Sequence, residues 1–265
     1  YDTDRCKFVA LQFGSGFYGY YMPGGKDTAE GVIALRKQKE GKKFPPLTPL
    51  SYDTATGRFE YAQAANAPPG RAHLGGHPQF LYLSAGKKFL AAGKGNTFLY
   101  DPDKKSWARV KTQGPPLAGD DTAACYDPVR NRVYAGERDK ARGAKETAGL
   151  VIFDVGTSTW ARASMKGTLP QNWSHQRVSL HYDSANDVVL AFQYPDCTIC
   201  VYDPKSEKWL EPVAMNAAFK GKSMQRKCKS AFYDPELNIH FVFAARDGVD
   251  DGVMWAYRYG AGKKK

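Results

Sequence analysis

A short recurring pattern limits what this sequence can fold into more than any other feature. In each copy an aromatic residue and an Asp open a polar turn, and a second large residue lies seven positions after the first aromatic. The pattern begins at Tyr52, Tyr100, Phe153 and Tyr202, which lie 48, 53 and 49 residues apart (100−52, 153−100 and 202−153). A period of about fifty residues is typical of proteins built from repeated supersecondary units.

A second series of the same pattern lies between the copies of the first. It pairs an opening Tyr with a residue seven positions later: Tyr1 with Phe8, Tyr126 with Val133, Tyr182 with Val189 and Tyr233 with His240. An Asp side chain can bond to the backbone two residues further on, and a Pro after it fixes φ. Each copy therefore predicts a strand, a turn and a strand, and two hairpins per repeat predict four antiparallel strands.

The repeats cover nearly the whole chain and predict an all-β protein. Four-stranded antiparallel sheets that repeat around an axis protect one another's edges, which is the arrangement of a β-propeller. We therefore predict a β-propeller in a single domain over residues 1–259, with about five repeats and both terminal repeats incomplete. The expected repeats cover residues 1–65, 66–120, 121–172, 173–223 and 224–259, and a basic tail follows at 260–265.

Residues 14–50 interrupt the first repeat and leave its third strand ambiguous. The stretch 26–33 resembles residues 145–152, which would make Val32–Leu35 the third strand. The repeat period instead places this strand at Leu47–Tyr52, after an insertion. The residues alone leave both assignments open.

The turns and the Trp-containing strands together resemble a known family. Tyr-Asp-Pro at positions 100–102 and 202–204 precedes strands with Trp107 and Trp209. In units of about fifty residues this alternation resembles the kelch-repeat β-propellers, in a divergent form without the double-glycine signature. The resemblance implies a fold rather than an activity, because propellers include binding proteins, adaptors and enzymes. The resemblance offers galactose oxidase as an enzymatic precedent, but no set of residues here can be matched with its Cys crosslinked to Tyr, its second Tyr and its two His.

Candidate ligand-binding residues lie in the connections of variable length. The turns within each hairpin are short and uniform, whereas the connections between hairpins vary and should meet at one face. Binding residues often lie on variable loops of a rigid scaffold, and Arg, His, Trp and Tyr there could bind an anion or a sugar. The candidates are Arg71, His73, His77, Asp120, Asp121, Trp173, His175, Gln176, Arg177, Tyr194 and Arg226.

The sequence favours a non-catalytic recognition scaffold that binds a protein or a glycan, because no acid–base pair, nucleophile or metal set stands out. The alternatives are an enzyme on a propeller scaffold and an electrostatic binder of an anionic polymer. We expect no cofactor and no metal. His73, His77 and His175 could converge on a metal, but they lie in loops without a suitably spaced acidic residue, which favours separate hydrogen-bonding roles.

Three general features of the sequence bear on the partners and the location of the protein. The net charge is +11 and the pI about 9.3, but the Lys and Arg residues are dispersed, which favours a generally basic surface. The sequence contains no run of about 18 apolar residues, so we predict no membrane span. The sequence opens at Tyr1 within a repeat, so we expect a processed, trimmed or partial chain, compatible with a secreted or periplasmic protein.

The five cysteines include one closely spaced pair. Cys197 and Cys200 form a single C-x-x-C in a strand-like segment. Three residues apart on a strand, they should point to opposite faces, which argues against zinc binding or redox chemistry. The alternative of one disulfide, in a secreted protein, is left open.

Overall fold

The computed structural model of the chain describes residues 1–12, 47–62, 64–68, 74, 78–117, 123–139, 147–164, 166–168, 170, 178–193, 198–214, 230–245 and 252–260. These residues form nineteen β-strands in five antiparallel sheets. The chain divides into two compact units, residues 1–111 and residues 112–265. The first unit contains two of the sheets and the second contains three.

The first unit holds a three-stranded and a four-stranded sheet, and the strands of each pair in chain order. The first sheet consists of β1 (Lys7–Gln12), β2 (Thr48–Asp53) and β3 (Arg58–Tyr61). The second sheet consists of β4 (Gln79–Leu83), β5 (Lys88–Gly93), β6 (Asn96–Asp101) and β7 (Ser106–Arg109).

The second unit holds sheets of four, five and three strands, again paired in chain order except that β16 joins β14. The third sheet consists of β8 (Ala124–Asp127), β9 (Arg132–Asp139), β10 (Thr147–Asp154) and β11 (Thr159–Arg162). The fourth consists of β12 (Val178–Asp183), β13 (Val188–Gln193), β14 (Thr198–Asp203), β15 (Lys208–Trp209) and β16 (Val213–Ala214). The fifth consists of β17 (Ser230–Asp234), β18 (Ile239–Ala245) and β19 (Gly252–Tyr257).

These sheets confirm the all-β repeat and refine the predicted strand number. Four strands per sheet were expected, and the described residues show three to five. In the first sheet β2 pairs with both β1 and β3. This confirms, within one residue, the prediction that the third strand of the first repeat lies at Leu47–Tyr52. The competing segment, Val32–Leu35, lies outside the described residues. The single domain over 1–259 stays a prediction.

A polar turn of constant geometry closes the hairpins in both units. The Asp127 carboxylate accepts hydrogen bonds from the backbone N–H groups of Val129 and Arg130, at 2.8 and 3.0 Å. The fourth residue after the Asp is left-handed, as at Asn131 and Asp187 with φ of 53° and 55°. The same two backbone bonds occur at Asp2, Asp53, Asp101, Asp183 and Asp234. The predicted Asp turn is confirmed.

The seven-residue interval of the sequence pattern is the distance between residues that face each other across a hairpin. Tyr100 pairs with Trp107, and their ring centroids lie 5.1 Å apart. Each such pair extends into a row that crosses its sheet, where cross-strand contacts stabilise the pairing. The rows are Phe8–Tyr52–Phe59, Tyr82–Phe89–Tyr100–Trp107, Tyr126–Val133–Phe153–Trp160, Tyr182–Val189–Tyr202–Trp209 and Tyr233–His240–Tyr257.

The Trp at the end of a row is also bonded to the segment that precedes its repeat. The backbone N–H of Trp160 donates to the carbonyl oxygen of Gln113 at 2.9 Å, and that of Trp209 donates to Lys166 at 3.1 Å. Gly114, directly after Gln113, has a φ of 75°, and a Cβ there would lie 2.0 Å from the carbonyl oxygen of Trp160. Both the backbone conformation and the close approach therefore require glycine.

Apolar side chains between neighbouring sheets form the core of the second unit. One buried cluster joins the third and fourth sheets and includes Tyr134, Leu150 and Leu180. A second joins the fourth and fifth sheets and includes Phe192 and Val242. Because each fully buried side chain of this size contributes about 1.5–3 kcal/mol, this stacking is the main source of stability.

Substituting Gly114→Ala should destabilise the second unit by about 2 kcal/mol or more, because it adds both backbone strain and a clash with the Trp160 carbonyl group. Gly86→Ala is the matched control, since a Cβ at Gly86 would have no atom within 4 Å. It should change the free energy of unfolding by no more than about 0.5 kcal/mol. Denaturant unfolding followed by Trp fluorescence measures both, and equal effects would contradict the required close approach.

Candidate functional site

All eleven predicted ligand-binding residues lie outside the described residues, so their placement stays a prediction. The described strand ends nevertheless show where their connections leave the sheets. Asp127 pairs with Arg132 at one end of the third sheet, and Asp139 pairs with Thr147 at the other. Each sheet therefore has a turn end, which carries the Asp turns, and a loop end, from which the other connections leave.

The two ends differ in the lengths of their connections. At the turn end the connections 128–131, 155–158 and 184–187 all contain four residues. At the loop end they range from the two residues of 94–95 to the 35 residues of 13–47. The scaffold is therefore uniform at the turn end and variable at the loop end, as the sequence predicts.

Ion pairs and phenol hydrogen bonds fix the turn end. The Arg130 guanidinium binds both carboxylate oxygens of Asp187, at 2.6 and 2.8 Å, and also binds Asp127 at 2.9 Å. Tyr182 donates to Asp187 at 2.8 Å. The hydrogen bond from Arg130, followed by those from Tyr182 and Lys205, holds the pKa of Asp187 well below its usual range. These bonds tie the turn of the third sheet to that of the fourth.

One groove in the second unit is formed by described residues and lies towards the turn end. It has a volume of about 470 Å³ and lies between β10–β11 on one side and Tyr202 of β14 and Glu207 of the following turn on the other. Its lining is Gln113, Arg132, Ile152, Asp154, Thr157, Thr159, Ala161, Arg162, Ala163, Tyr202 and Glu207. None of these residues was among the predicted site residues, because the prediction considered the loop end alone.

The groove offers hydrogen-bonding groups but no evident catalytic pair. Arg162 binds the buried Glu137 at 2.6 Å, and Arg132 lies 3.5 Å from the Asp154 carboxylate. A backbone hydrogen bond from Thr157 is the main cause that lowers the pKa of Asp154, so this carboxylate is ionised at neutral pH and unsuited to act as a general acid. Burial raises the pKa of Tyr202 to about 12, which leaves the phenol protonated.

A buried chain of polar side chains crosses from the fourth sheet to the fifth. The Nδ1 atoms of His181 and His240 lie 3.0 Å apart, and the two rings stack with a 12° interplanar angle. Nε2 of His240 lies 3.2 Å from Oδ2 of Asp183. Asp183 is an Asp-turn residue and also binds the Asn186 side chain at 2.9 Å. His240 occupies the row position that the neighbouring sheets fill with Val133 or Val189.

Burial determines the protonation state of His181. Burial, with a smaller contribution from the neighbouring His240, lowers the pKa of His181 to about 3. The 3.0 Å between the two Nδ1 atoms fits one hydrogen bond, in which one of the two rings donates and the other accepts, according to their tautomers. Nε2 of His181 has no hydrogen bond of normal geometry, although the ring lies close to the backbone of Ala231. Because the side chains of His181, His240 and Asp183 are all buried, this set of polar contacts joins the two sheets and does not face a substrate.

Asp183 binds the backbone of its own turn and also the imidazole of His240. Burial alone would raise its pKa, but the hydrogen bonds from His240 and Asn186 outweigh burial and lower it. The phenol of Tyr233 also lies 3.2 Å from Asp183. One carboxylate therefore holds its own turn and binds the neighbouring sheet.

The described cysteines and acidic residues provide no metal centre. Cys6, Cys125 and Cys200 carry free thiols, and burial raises the pKa of Cys200 to about 11. Within the residues that the structure places, no three His, Cys, Asp or Glu side chains are grouped as metal ligands. Cys197 and the three candidate histidines lie outside that part of the chain.

Sequence reasoning missed the polar contacts between sheets. A comparison of the repeats could have singled out His240, because it stands where the other copies have Phe or Val. Asn131, Asp187 and Asn238 also recur five positions after a Tyr, and each accepts a hydrogen bond from that phenol at 2.8–3.1 Å. The groove has no comparable signal, because its lining comes from segments far apart in the chain.

Comparison with known proteins identifies the fold and no family. No protein-family model and no curated protein sequence matches the chain. A chain of the nidogen/laminin complex matches with a TM-score of 0.51 and 8% identity, over 80% of this chain and 72% of that one. TolB from Acinetobacter baumannii matches with a TM-score of 0.51 and 11% identity, over 82% of this chain and 47% of its own.

A third structural match covers only a quarter of a larger protein. It is the extracellular domain of a hybrid two-component system from B. thetaiotaomicron, with a TM-score of 0.50 and 11% identity, over 82% of this chain and 25% of that one. Together the matches support a β-propeller fold. They do not confirm the kelch-repeat family. No helix in the described part of the chain is long and apolar enough to cross a membrane.

Lowering the pH from 6.5 towards 3 should destabilise the fold through His181. The unfolded chain, with a His pKa near 6.5, binds a proton that the folded chain does not, so the free energy of unfolding falls by up to about 1.4 kcal/mol per pH unit. Below about pH 4, protonation of Asp183 acts in the same direction because its folded pKa is lowered. Urea unfolding at several pH values measures the slope.

The variant His181→Phe separates this effect from the general acid sensitivity of the protein. It removes the titrating ring, so the slope between pH 6.5 and 4 should decrease by about one proton. An unchanged slope would contradict the assignment of a neutral, buried His181.

Proposed function

We propose that the protein is a non-catalytic recognition scaffold that binds a protein or a glycan through the loop end of its sheets. The observation that supports this is the contrast between the two ends. Constant four-residue turns with capped Asp residues fix one end, whereas the connections at the other range from two to 35 residues (94–95 and 13–47). Variable segments on a rigid frame are the usual basis of selective binding.

The described titratable groups support recognition rather than catalysis. The carboxylates with lowered pKa values belong largely to the turns and their ion pairs, as Asp53, Asp154 and Asp187 do. The shifted histidine, His181, is buried between sheets. These shifts follow from structural hydrogen bonds and burial, so a perturbed pKa here does not mark an active site.

The eleven candidate residues suit such a role because of their chemistry. Arg177 and Arg71 would bind carboxylate or sulfate groups through two parallel hydrogen bonds. Trp173 would stack on a sugar ring or an apolar side chain. The name of one structural neighbour, the nidogen/laminin complex, describes an assembly of proteins, which agrees with protein recognition by this fold.

Substituting Trp173→Ala or Arg177→Ala should weaken binding at least tenfold. The probes are a glycan array with neutral and sulfated members and a displayed library of random peptides, both screened with the purified chain. Lys104→Ala and Leu237→Ala are the controls, because both residues are exposed in turns at the opposite end of their sheets. They should leave the affinity of the selected probes unchanged.

Two outcomes would contradict the proposal. Probes that lose affinity with the control variants, and not with the loop variants, would place the site at the turn end. Binding confined to polyanions, with an affinity that falls steeply as salt rises, would instead identify an electrostatic binder of an anionic polymer.

A further inference from the structure

The groove in the second unit combines apolar surface with polar side chains on one face of the third sheet. Ile152 and Ala161 face each other across β10 and β11 and contribute apolar surface. Arg132 and Asp154, paired across β9 and β10, contribute charged groups. Sites for small ligands have this composition, with a few polar groups that orient the ligand, and the groove volume of about 470 Å³ lies within their usual range.

The Tyr202 hydroxyl is a buried polar group at this groove that lacks a hydrogen bond. Tyr202 lines the groove and is 1% exposed. Among the residues that the structure describes, none bonds to its hydroxyl. Because burial raises the pKa of Tyr202 to about 12, the phenol is protonated and can donate. Native proteins rarely leave a buried hydroxyl without a partner, since its desolvation is then uncompensated. A hydroxyl group of a ligand in the groove would supply the missing acceptor.

The neighbouring repeats show that packing does not require the polar groups of the groove. Phe153 occupies the position of Tyr202 in the row of the third sheet, and its ring packs on a Trp as that of Tyr202 does. Arg132 stands where the fourth sheet has Val188, five positions after the Asp of the turn. The fold therefore accepts apolar side chains at both positions, and the hydroxyl and the guanidinium are free to serve a ligand.

The charges around the groove favour a ligand without net charge. Nε of Arg132 lies 3.5 Å from the Asp154 carboxylate, and Arg162 binds the buried Glu137 at 2.6 Å. Glu207 adds a further carboxylate to the lining. Because both guanidinium groups lie beside carboxylates, the groove does not concentrate positive charge as an anion site would. Donors beside acceptors suit hydroxyl groups instead, since a hydroxyl both donates and accepts.

We propose that this groove binds a neutral mono- or disaccharide, with sugar hydroxyl groups bonded to Tyr202, Arg132 and Asp154. The apolar surface at Ile152 and Ala161 would contact the C–H groups of the sugar ring. None of the loop-end candidate residues lines the groove, so this site does not depend on the binding proposed for the loop end.

Saturation-transfer NMR of the purified chain with a panel of sugars tests the proposal. The panel contains glucose, galactose, mannose, maltose and lactose, with glucuronate and a phosphorylated glucose as charged comparisons. At least one neutral sugar should give a signal, and its affinity should change little between about 50 and 500 mM NaCl because it carries no charge. Silence from every neutral sugar, or a preference for the charged ones, would overturn the proposal.

Tyr202→Phe tests the role of the hydroxyl. It should weaken the binding of that sugar by about fivefold, the effect of losing one neutral hydrogen bond, as measured by NMR titration. The melting temperature of the free protein should not fall, because the change removes an unsatisfied hydroxyl.

Tyr134→Phe is the matched control for this variant. The Tyr134 hydroxyl is also buried without a partner among the described residues, and its ring belongs to the same cluster, but Tyr134 does not line the groove. This variant should keep the wild-type affinity. Equal affinities of the two variants for the sugar would contradict a role of Tyr202 in binding.

A bulky side chain placed in the groove gives a second test that is independent of the hydroxyl. Ala161 is exposed on the outer strand β11, so Ala161→Trp should fill the groove without entering the core, and it should abolish binding. Ala108 also follows a Trp on the outer strand of its sheet, is exposed and does not line the groove, so Ala108→Trp should bind as the wild type does. Circular dichroism checks that both variants are folded. Sugar binding retained by Ala161→Trp would locate the sugar elsewhere and overturn the proposal.

Discussion

The Asp turn is the interaction on which the rest of this structure depends. One carboxylate satisfies two backbone N–H groups in a four-residue connection and so holds a left-handed residue at its end, as Asp127 does before Asn131. A left-handed residue costs about 1 kcal/mol or more when it is not Gly, so the turn forms only because these bonds compensate. With its length fixed, the turn also fixes the register of both strands.

Register then determines packing. Because the residue before the Asp always faces the residue seven positions later, large side chains align in a row across each sheet, and Trp107, Trp160 and Trp209 end three of those rows in buried positions. The backbone N–H of each of these three Trp residues donates to the segment before its repeat, and Gly114 permits the approach to Trp160. A local hydrogen-bonding rule thereby produces stacked sheets with apolar interiors.

The repeat could be predicted from the sequence because its period and turn chemistry are local. Tyr-Asp turns and seven-residue spacings predict that β6 pairs with β7 and β14 with β15, and both pairings are found. The His181–His240–Asp183 chain could not be predicted in this way, because it joins residues 57 and 59 positions apart whose neighbourhood depends on sheet stacking. The lining of the groove, with Tyr202 and Gln113, could not be predicted from the sequence for the same reason. The number of strands per sheet also differs from the uniform four, since β16 adds to the fourth sheet.

Each sheet has constant turns at one end and connections of unequal length at the other. This division depends on the Asp turns being closed in solution, which amide hydrogen exchange at residue resolution tests directly. The account predicts that the N–H groups of Arg130 and Asn186, although in short turns, exchange as slowly as those of β9 and β13 because Asp carboxylates hold them. Rapid exchange at these amides, with protection confined to the strands, would contradict it.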